Sequence, residues 1–272
     1  MSRLKSIFGV DKPLIAMCHL AGLPGRPRYD AAGGVERIVE LAGRELTALQ
    51  DGGVDAVLFC NENDLPYSTA VGVEVAATMA AVVGRLRPDI RVPFGINLLW
   101  DPKSSLAVAG ATGASFVREV FTGVYDSDMG LLAPDYGEIA AYQHAIGAGG
   151  VAVFANITPE FSSSVGQRSV AERAASTAYM GVDALLISGP AAGVGPSMDA
   201  LREAKEAAGD TPVLANTGVK VDTVRDILAV ADGAIVGTSL KVDGDTWKPV
   251  EPARVVAMME AVAEARAARI GG

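Results

Sequence analysis

Two segments near the end of the chain decide the fold: TPVLANTGVK at 211–220 and ADGAIVGTSLK at 231–241. Each begins with a short apolar run, Val213–Ala215 or Ala234–Val236, and then opens into a turn rich in Gly, Thr and Ser. Small residues in such a turn let an anionic group approach the backbone N–H groups. Two of these turns with one helix between them are typical of the last two strand ends of a β/α barrel, where phosphate sites commonly form.

Strand-like apolar runs alternate with helical patterns along the rest of the chain. The eight strand candidates are Leu14–His19, Ala56–Cys60, Phe94–Leu98, Phe116–Phe121, Val151–Asn156, Ala184–Ser188, Val213–Ala215 and Ala234–Val236. The clearest helical patterns cover Val35–Asp51, Thr69–Leu86, Gly137–Ile146, Val170–Met180 and Pro252–Arg269. The alternation predicts an α/β fold, a single (β/α)8 TIM barrel over residues 1–272 with 1–12 as an N-terminal lead-in. A doubly wound open sheet is the alternative, but no Gly-x-Gly-x-x-Gly follows the first strand.

Composition excludes several classes of function. Half of the 272 residues are hydrophobic, and the formal net charge is −9, which argues against a basic face for nucleic acid. Cys18 and Cys60 lie inside apolar runs, as expected of buried, reduced thiols. Neither a signal peptide nor an apolar segment of the ~20 residues that span a bilayer is recognisable. We therefore expect a cytoplasmic protein, and a homo-oligomer is a reasonable prior.

The turns after the last three strands predict a site for phosphate or another anion. The candidate ligand-binding residues are Gly189, Asn216, Thr217, Gly218, Gly237, Thr238, Ser239 and Lys241. Lys241 either neutralises a bound phosphate or is a solvated turn residue. The whole set has a plainer interpretation as ordinary strand-to-helix turns.

Titratable residues follow the first, second and fourth strands, on the face where barrel enzymes keep their chemistry. The candidate catalytic residues are His19, Glu62, Asp64, Arg118 and Glu119. His19 could act as a general acid or base, or be a packed histidine bonded to a carboxylate. Glu62 and Asp64 could bind a divalent cation, supply a general base, or cap the next helix. The cofactor is unknown; a divalent cation is possible in principle, and no organic cofactor is indicated.

Arg118 and Glu119 are neighbours, so extended geometry points them to opposite sides of their strand. Only one of them can face the barrel interior, where a charge must be paired. Glu62 and Asp101 are the predicted partners of an inward Arg118. If Glu119 faces the interior instead of Arg118, Glu119 is the stronger candidate for a catalytic residue.

Several motifs resemble the BtpA/SgcQ family. They are Met17-Cys18-His19-Leu20 with Leu23-Pro24-Gly25, Phe121-Thr122-Gly123, Asn216-Thr217-Gly218-Val219 and the block from Asp232 to Lys241. The resemblance extends over nearly the whole chain and implies a barrel of the ribulose-phosphate-binding type. One branch of the family sits among proteins of sugar-phosphate uptake and metabolism, and its cyanobacterial namesake is a factor for photosystem I accumulation.

Many relatives carry a Lys after the fifth strand, where this chain reads Asn156-Ile157-Thr158-Pro159-Glu160. The family resemblance implies a phosphorylated sugar or nucleoside-derived phosphate as ligand, with isomerase, lyase or glycosidic-bond hydrolase chemistry by acid–base catalysis. The loss of the Lys favours the alternative, a non-catalytic accessory or assembly factor like the photosystem I factor.

Overall fold

Eight parallel strands close into a barrel in the computed structural model, which describes residues 3–268. The barrel strands are β1 Leu14–His19, β2 Ala56–Cys60, β3 Phe94–Asn97, β4 Phe116–Glu119, β7 Ala152–Asn156, β9 Ala184–Ser188, β10 Val213–Asn216 and β11 Gly233–Val236. Three further strands, β5 Tyr125–Ser127, β6 Gly130–Leu132 and β8 Ser162–Ser164, form a small antiparallel sheet above the barrel. The pairing of β1 with both β2 and β11 closes the ring and confirms the predicted (β/α)8 TIM barrel.

Eight of the nine α-helices in residues 3–268 surround the barrel on the outside, and the first, α1 Arg3–Phe8, lies at its bottom. The other eight are α2 Gly34–Asp51, α3 Val73–Leu86, α4 Pro102–Thr112, α5 Tyr136–Ala145, α6 Val170–Tyr179, α7 Met198–Ala207, α8 Val224–Val230 and α9 Pro252–Ala267. The predicted start of α3 at Thr69 is four residues early, because the N–H of Val71 bonds to the Asp101 carboxylate at 3.1 Å. Arg269, the predicted end of α9, lies outside the described residues.

Side chains alternate between two apolar layers, as parallel strands buried on both faces require. Ile15, Leu58, Leu186 and Leu214 point into the barrel, whereas their neighbours pack against the helices. The described helices include none that is long and apolar enough to cross a membrane. The alternation decides which residues of each strand reach the mouth of the barrel.

The N-terminal lead-in forms a helix that closes the bottom of the barrel. Phe8 of α1 packs edge-on against Phe116, with ring centroids 5.4 Å apart, and against Phe154 at 6.1 Å. Phe116 and Phe154 stack on each other at 4.9 Å inside the barrel. The bottom is therefore an aromatic core, which leaves the carboxyl ends of the strands as the open face.

Candidate functional site

A polar cavity lies at the carboxyl ends of the barrel strands. Met17 and Ile235 form its apolar floor, and the polar wall comes from strand ends and the loops above them. The wall includes His19, Glu62, Tyr67, Arg118, Glu160, Asn216, Thr217, Gly218, Gly237, Thr238 and Thr246. Predicted residues from both sets therefore meet in one place.

The cavity is small and continues into a wider groove. It has a volume of about 60 Å³, and the groove beside it has about 900 Å³. Gly193, Gly218, Gly237 and Thr238 line both spaces. These four residues thus stand at the junction, where a ligand could place one group in the cavity and the rest outside.

Backbone strain concentrates at this cavity. Of the five non-glycine residues with positive φ in the described chain, three line it: Trp100 (φ 69°), Phe161 (φ 56°) and Thr217 (φ 63°). Left-handed backbone is unfavourable for bulky side chains and persists where the surrounding structure enforces it, most often at functional sites. The clustering identifies the cavity as the candidate active site independently of the titratable residues.

Glu62 faces the cavity and Asp64 does not. Tyr67 donates its hydroxyl to Glu62 Oε1 at 3.0 Å, and burial raises the pKa of Glu62 above its ordinary value. Asp64 accepts hydrogen bonds from the Leu23 N–H at 2.8 Å and from Asn61 at 2.9 Å. Asp64 holds the loop after β1, so its predicted catalytic contact is wrong.

The predicted cation site at Glu62 and Asp64 is not assembled either. The two carboxylates bind different partners, because a turn closed by the Asp64 N–H and the Asn61 carbonyl at 3.0 Å breaks the alternation that would place them on one side. Within residues 3–268, no group of three or more His, Cys, Asp or Glu side chains is arranged to hold a metal ion.

Arg118 points into the barrel and is paired, although not with the predicted partners. Its Nη2 donates to Glu160 Oε1 at 2.7 Å, and its Nη1 donates to Asn97 at 2.9 Å. Asn156 and Asn216 also donate to the Glu160 carboxylate, at 3.1 and 3.2 Å. Glu62 and Asp101 were the wrong candidates, because Glu160 reaches back over the mouth from the loop after β7.

Glu119 takes the opposite direction from Arg118 and lies outside the cavity. Its carboxylate accepts hydrogen bonds from the backbone N–H groups of Trp100, at 3.1 Å, and Val120, at 3.2 Å, and also from Asn97. Burial raises the pKa of Glu119 to about 8, against the opposing charge of Arg118. Glu119 holds Trp100 in its strained conformation; the predicted direct catalytic contact is wrong.

His19 is a neutral cavity residue. Burial, reinforced by the charges of Lys241 and Arg118, lowers the pKa of His19 well below its ordinary value. Its Nδ1 is buried and has no hydrogen-bond partner among the described residues. The imidazole lies against Gly237, where an added Cβ would sit 3.2 Å from His19 Cε1.

Most of the predicted anion-binding residues line the cavity, and three of them, Gly218, Gly237 and Thr238, stand at the junction. Asn216, Thr217, Gly218, Gly237 and Thr238 line the cavity.

Ser239 lies on the groove side and donates its hydroxyl to the Val219 carbonyl at 2.7 Å. Gly189 is a packing residue instead, because the Val194 carbonyl leaves no room for a Cβ there.

Lys241 is the clear correction in this set. Its side chain is 1% exposed, and its ammonium binds both carboxylate oxygens of Glu45 on α2, at 2.6 and 2.7 Å. The predicted role as a counter-charge for phosphate is wrong, because the one-turn helix after β11 directs the side chain towards α2.

Four lining residues with hydrogen-bonding side chains were not among the predicted site residues: Tyr67, Trp100, Glu160 and Thr246. Glu160 had a usable signal, since an acidic residue four positions after a strand end lies on the catalytic face. The other three sit on loops whose paths no pattern predicts.

A family model described as the BtpA family matches residues 10–264. This chain belongs to the BtpA family. It is 47% identical over 263 residues to the sgc region protein SgcQ of Escherichia coli, covering 96% of this chain and 98% of that protein. It is 34% identical over 261 residues to the photosystem I biogenesis protein BtpA of Synechocystis, covering 94% and 90%.

Solved structures agree on the fold. Phosphoribosyl anthranilate isomerase from Thermus thermophilus superimposes with a TM-score of 0.56 at 12% identity, covering 93% of this chain and 98% of that one. At such low identity the likeness concerns the barrel alone.

Proposed function

We propose that this protein is an enzyme that acts on a phosphorylated small molecule, a sugar phosphate or a nucleoside-derived phosphate. One observation carries the proposal. A buried, protonatable carboxyl at Glu62 shares a strained cavity with the small-residue turns at Gly218 and Gly237.

The phosphate would lie at the junction of cavity and groove. Gly193, Gly218, Gly237 and Thr238 leave backbone and a hydroxyl accessible there, which suits an oxyanion. Thr238 and Thr246 share a hydrogen bond at 2.7 Å, so the hydroxyl that meets the ligand is held in place. The organic part of the ligand would then point into the cavity.

Acid–base chemistry is assigned to the opposite wall. Burial raises the pKa of Glu62 and so favours its protonated form, which can donate a proton, and the conjugate base can take one back. Arg118 stays charged and would stabilise negative charge that develops on the substrate. Neutral His19 completes the wall as a hydrogen-bonding partner or weak base. Isomerases, lyases and glycosidic-bond hydrolases use such sets of groups.

An imine-forming aldolase is disfavoured. A Schiff base needs a lysine that reaches the substrate, and none of the residues that line the cavity in the described chain is a lysine. Asn156, in the position where many relatives carry Lys, donates to Glu160 and Ser188 instead.

Thermal-shift screening with phosphorylated sugars and nucleotides tests the proposal. Ligands that bind the native state raise the melting temperature, and the stabilisation grows with the logarithm of the ligand excess over Kd. We expect stabilisation by at least one phosphorylated compound and none by its dephosphorylated form. No stabilisation by any phosphorylated metabolite, phosphate or sulfate would sink the phosphate assignment.

The second candidate is a non-catalytic accessory or assembly factor, favoured by the relative named as a photosystem I biogenesis protein. A scaffold would tolerate Glu62→Ala and His19→Ala without loss of function, whereas an enzyme would lose turnover and keep its fold. We also keep the predictions of a cytoplasmic location and a homo-oligomer. Size-exclusion chromatography with light scattering checks the oligomer, and cell fractionation checks the location.

A further inference from the structure

Two arginines line a second cavity, outside the barrel mouth, between the turn after β4 and helix α6. The cavity has a volume of about 130 Å³. Arg168 and Arg173 enter from the α6 side, and Thr122, Tyr125 and Thr177 contribute hydroxyl groups. None of these residues lines the central cavity.

Neither arginine has an acidic partner. Among residues 3–268, most arginines with exposed side chains form ion pairs, as Arg85 does with Glu36 and Arg202 with Asp199, whereas Arg168 and Arg173 form none. Arg173 Nε is buried and without a hydrogen-bond partner in the described chain. An unpaired buried donor on a cation is costly, and in a chain of net charge −9 acidic partners are abundant.

The neighbouring acidic residue is occupied elsewhere. Glu172, on the same helix, accepts a hydrogen bond from the Ser169 N–H at 2.7 Å in a capping box. Arg168 Nη1 lies 3.4 Å from Ser176 Oγ, which orients the guanidinium without neutralising it. The cavity therefore keeps two positive charges.

We propose that this cavity is a second anion site, which takes a phosphate-like oxyanion. Guanidinium groups match the oxygens of phosphate and sulfate with paired hydrogen bonds. Thr122 and Thr177, whose hydroxyls bond to each other at 2.8 Å, provide further polar atoms in the same wall. The anion is inorganic phosphate or the phosphate group of a small metabolite.

The site is connected to the candidate active site through Tyr125. Its hydroxyl donates to the Ile157 carbonyl at 3.1 Å, and its backbone pairs with Ser164 in the antiparallel sheet. The segment between these two contacts carries Glu160 and Phe161 into the central cavity. Arg173 also hydrogen-bonds the Tyr125 phenol. Burial raises the pKa of Tyr125, and this contact acts in the opposite direction. An anion that engages Arg173 therefore acts on the residue that holds the Glu160 segment.

Crystals soaked in sodium selenate test the proposal by anomalous diffraction. We expect a selenium peak between Arg168 and Arg173 in the wild type, and no such peak in Arg168→Gln/Arg173→Gln. The matched control, Arg202→Gln, removes one exposed positive charge on α7 and should keep the peak. Absence of the peak in the wild type, or its persistence in the double variant, overturns the site.

Isothermal titration with inorganic phosphate and with glucose 6-phosphate measures affinity in solution. In the double variant we expect the affinity of one binding event to fall at least about 10-fold. In Gly237→Ala, only the affinity of the other event should change. Arg168→Gln alone serves where the double variant folds poorly, because Arg168 is exposed. If glucose 6-phosphate binds this site more tightly than inorganic phosphate does, the ligand is a metabolite phosphate. If the two bind equally, the ligand is the free anion. Unchanged affinity in Arg168→Gln and in the double variant would contradict the proposal.

Discussion

The two sides of the barrel mouth present different chemical groups to the cavity. Thr217, Gly218, Gly237 and Thr238 form what we call the glycine side, which presents backbone and small hydroxyls. Across the cavity lies the carboxylate side, formed by Glu62, Arg118 and Glu160.

The contrast supports the proposal that one wall binds the anion and the other carries the acid–base chemistry. The glycine side carries no ionisable side chain, so it can hold an anion without deciding which reaction follows. The carboxylate side keeps charges in a buried place, where desolvation is costly and pairing is required. Asn97, Asn156 and Asn216 supply part of that pairing through amide hydrogen bonds. The first four variants below each change one wall, and the fifth, Glu119→Gln, lies outside the cavity.

Glu62→Gln should have the largest effect. Loss of a general acid or base typically lowers the rate 10²- to 10⁴-fold, so we expect kcat to fall by about 10³-fold with the substrate that the thermal-shift panel identifies. Binding of that substrate should change little, because the proposed anion site lies on the other wall. The matched control is Asp64→Asn, which removes a carboxylate that points away from the cavity.

Tyr67→Phe sharpens the assignment of the proton. The Tyr67 hydroxyl stabilises the ionised form of Glu62 and so lowers its pKa. If Glu62 acts as the acid, kcat/KM falls as the pH rises through its pKa, and this alkaline limb should move to higher pH in the variant. If the alkaline limb of kcat/KM does not move in Tyr67→Phe, a group other than Glu62 donates the proton.

Glu160→Gln should destabilise the fold by about 3 kcal/mol, because it leaves Arg118 as a buried charge without its anionic partner. The exposed pair Lys103–Glu138 provides the control, and Glu138→Gln should cost less than about 1 kcal/mol. Chemical denaturation measures both. Equal effects would mean that water replaces the lost partner and that the carboxylate side is less buried than described.

Gly237→Ala should act on the glycine side alone. A methyl group there meets His19 Cε1 at 3.2 Å and narrows the junction, so we expect KM to rise about 10-fold with a smaller change in kcat. Gly84→Ala in α3 is the control, since nothing lies within 4 Å of its added Cβ. An unchanged KM would reduce Gly237 to a packing residue for the imidazole.

Glu119→Gln should have the smallest effect, and it depends on pH. The folded pKa of about 8 exceeds the ordinary value of 4.5, so the folded protein holds a proton that the unfolded chain has released. Stability from this group is complete below pH 4.5 and is lost as the pH rises through 8.

Glu119→Gln removes this titration. The free energy of unfolding of the wild type, relative to the variant, should therefore decline between pH 5 and 8 by at least about 1.4 kcal/mol, the equivalent of one pKa unit. Parallel pH profiles of the two proteins would contradict the raised pKa.

The barrel was predictable from the sequence because periodicity and strand-end composition are local properties. Strands such as Ala56–Cys60 and Ala184–Ser188 have the predicted bounds. The glycine side was predictable for the same reason, since its residues follow directly after two strands.

The carboxylate side was less predictable, because parity and loop paths are not local. Glu119 and Arg118 could be separated only by knowing which one faces inward. Lys241 was misassigned since a single helical turn redirects it to Glu45, far away in sequence. Glu160 was missed as a partner because its loop crosses the mouth before the carboxylate meets Arg118.

The packing of Phe8 against two rings from later strands limits when α1 can dock on the barrel. The rings that receive it, Phe116 and Phe154, stand more than a hundred residues later in the chain. Helix α1 is therefore synthesised before the two rings on which Phe8 packs, and that contact cannot form until Phe154 has left the ribosome. Helix α1 can dock only after the strands that carry those rings have paired in register.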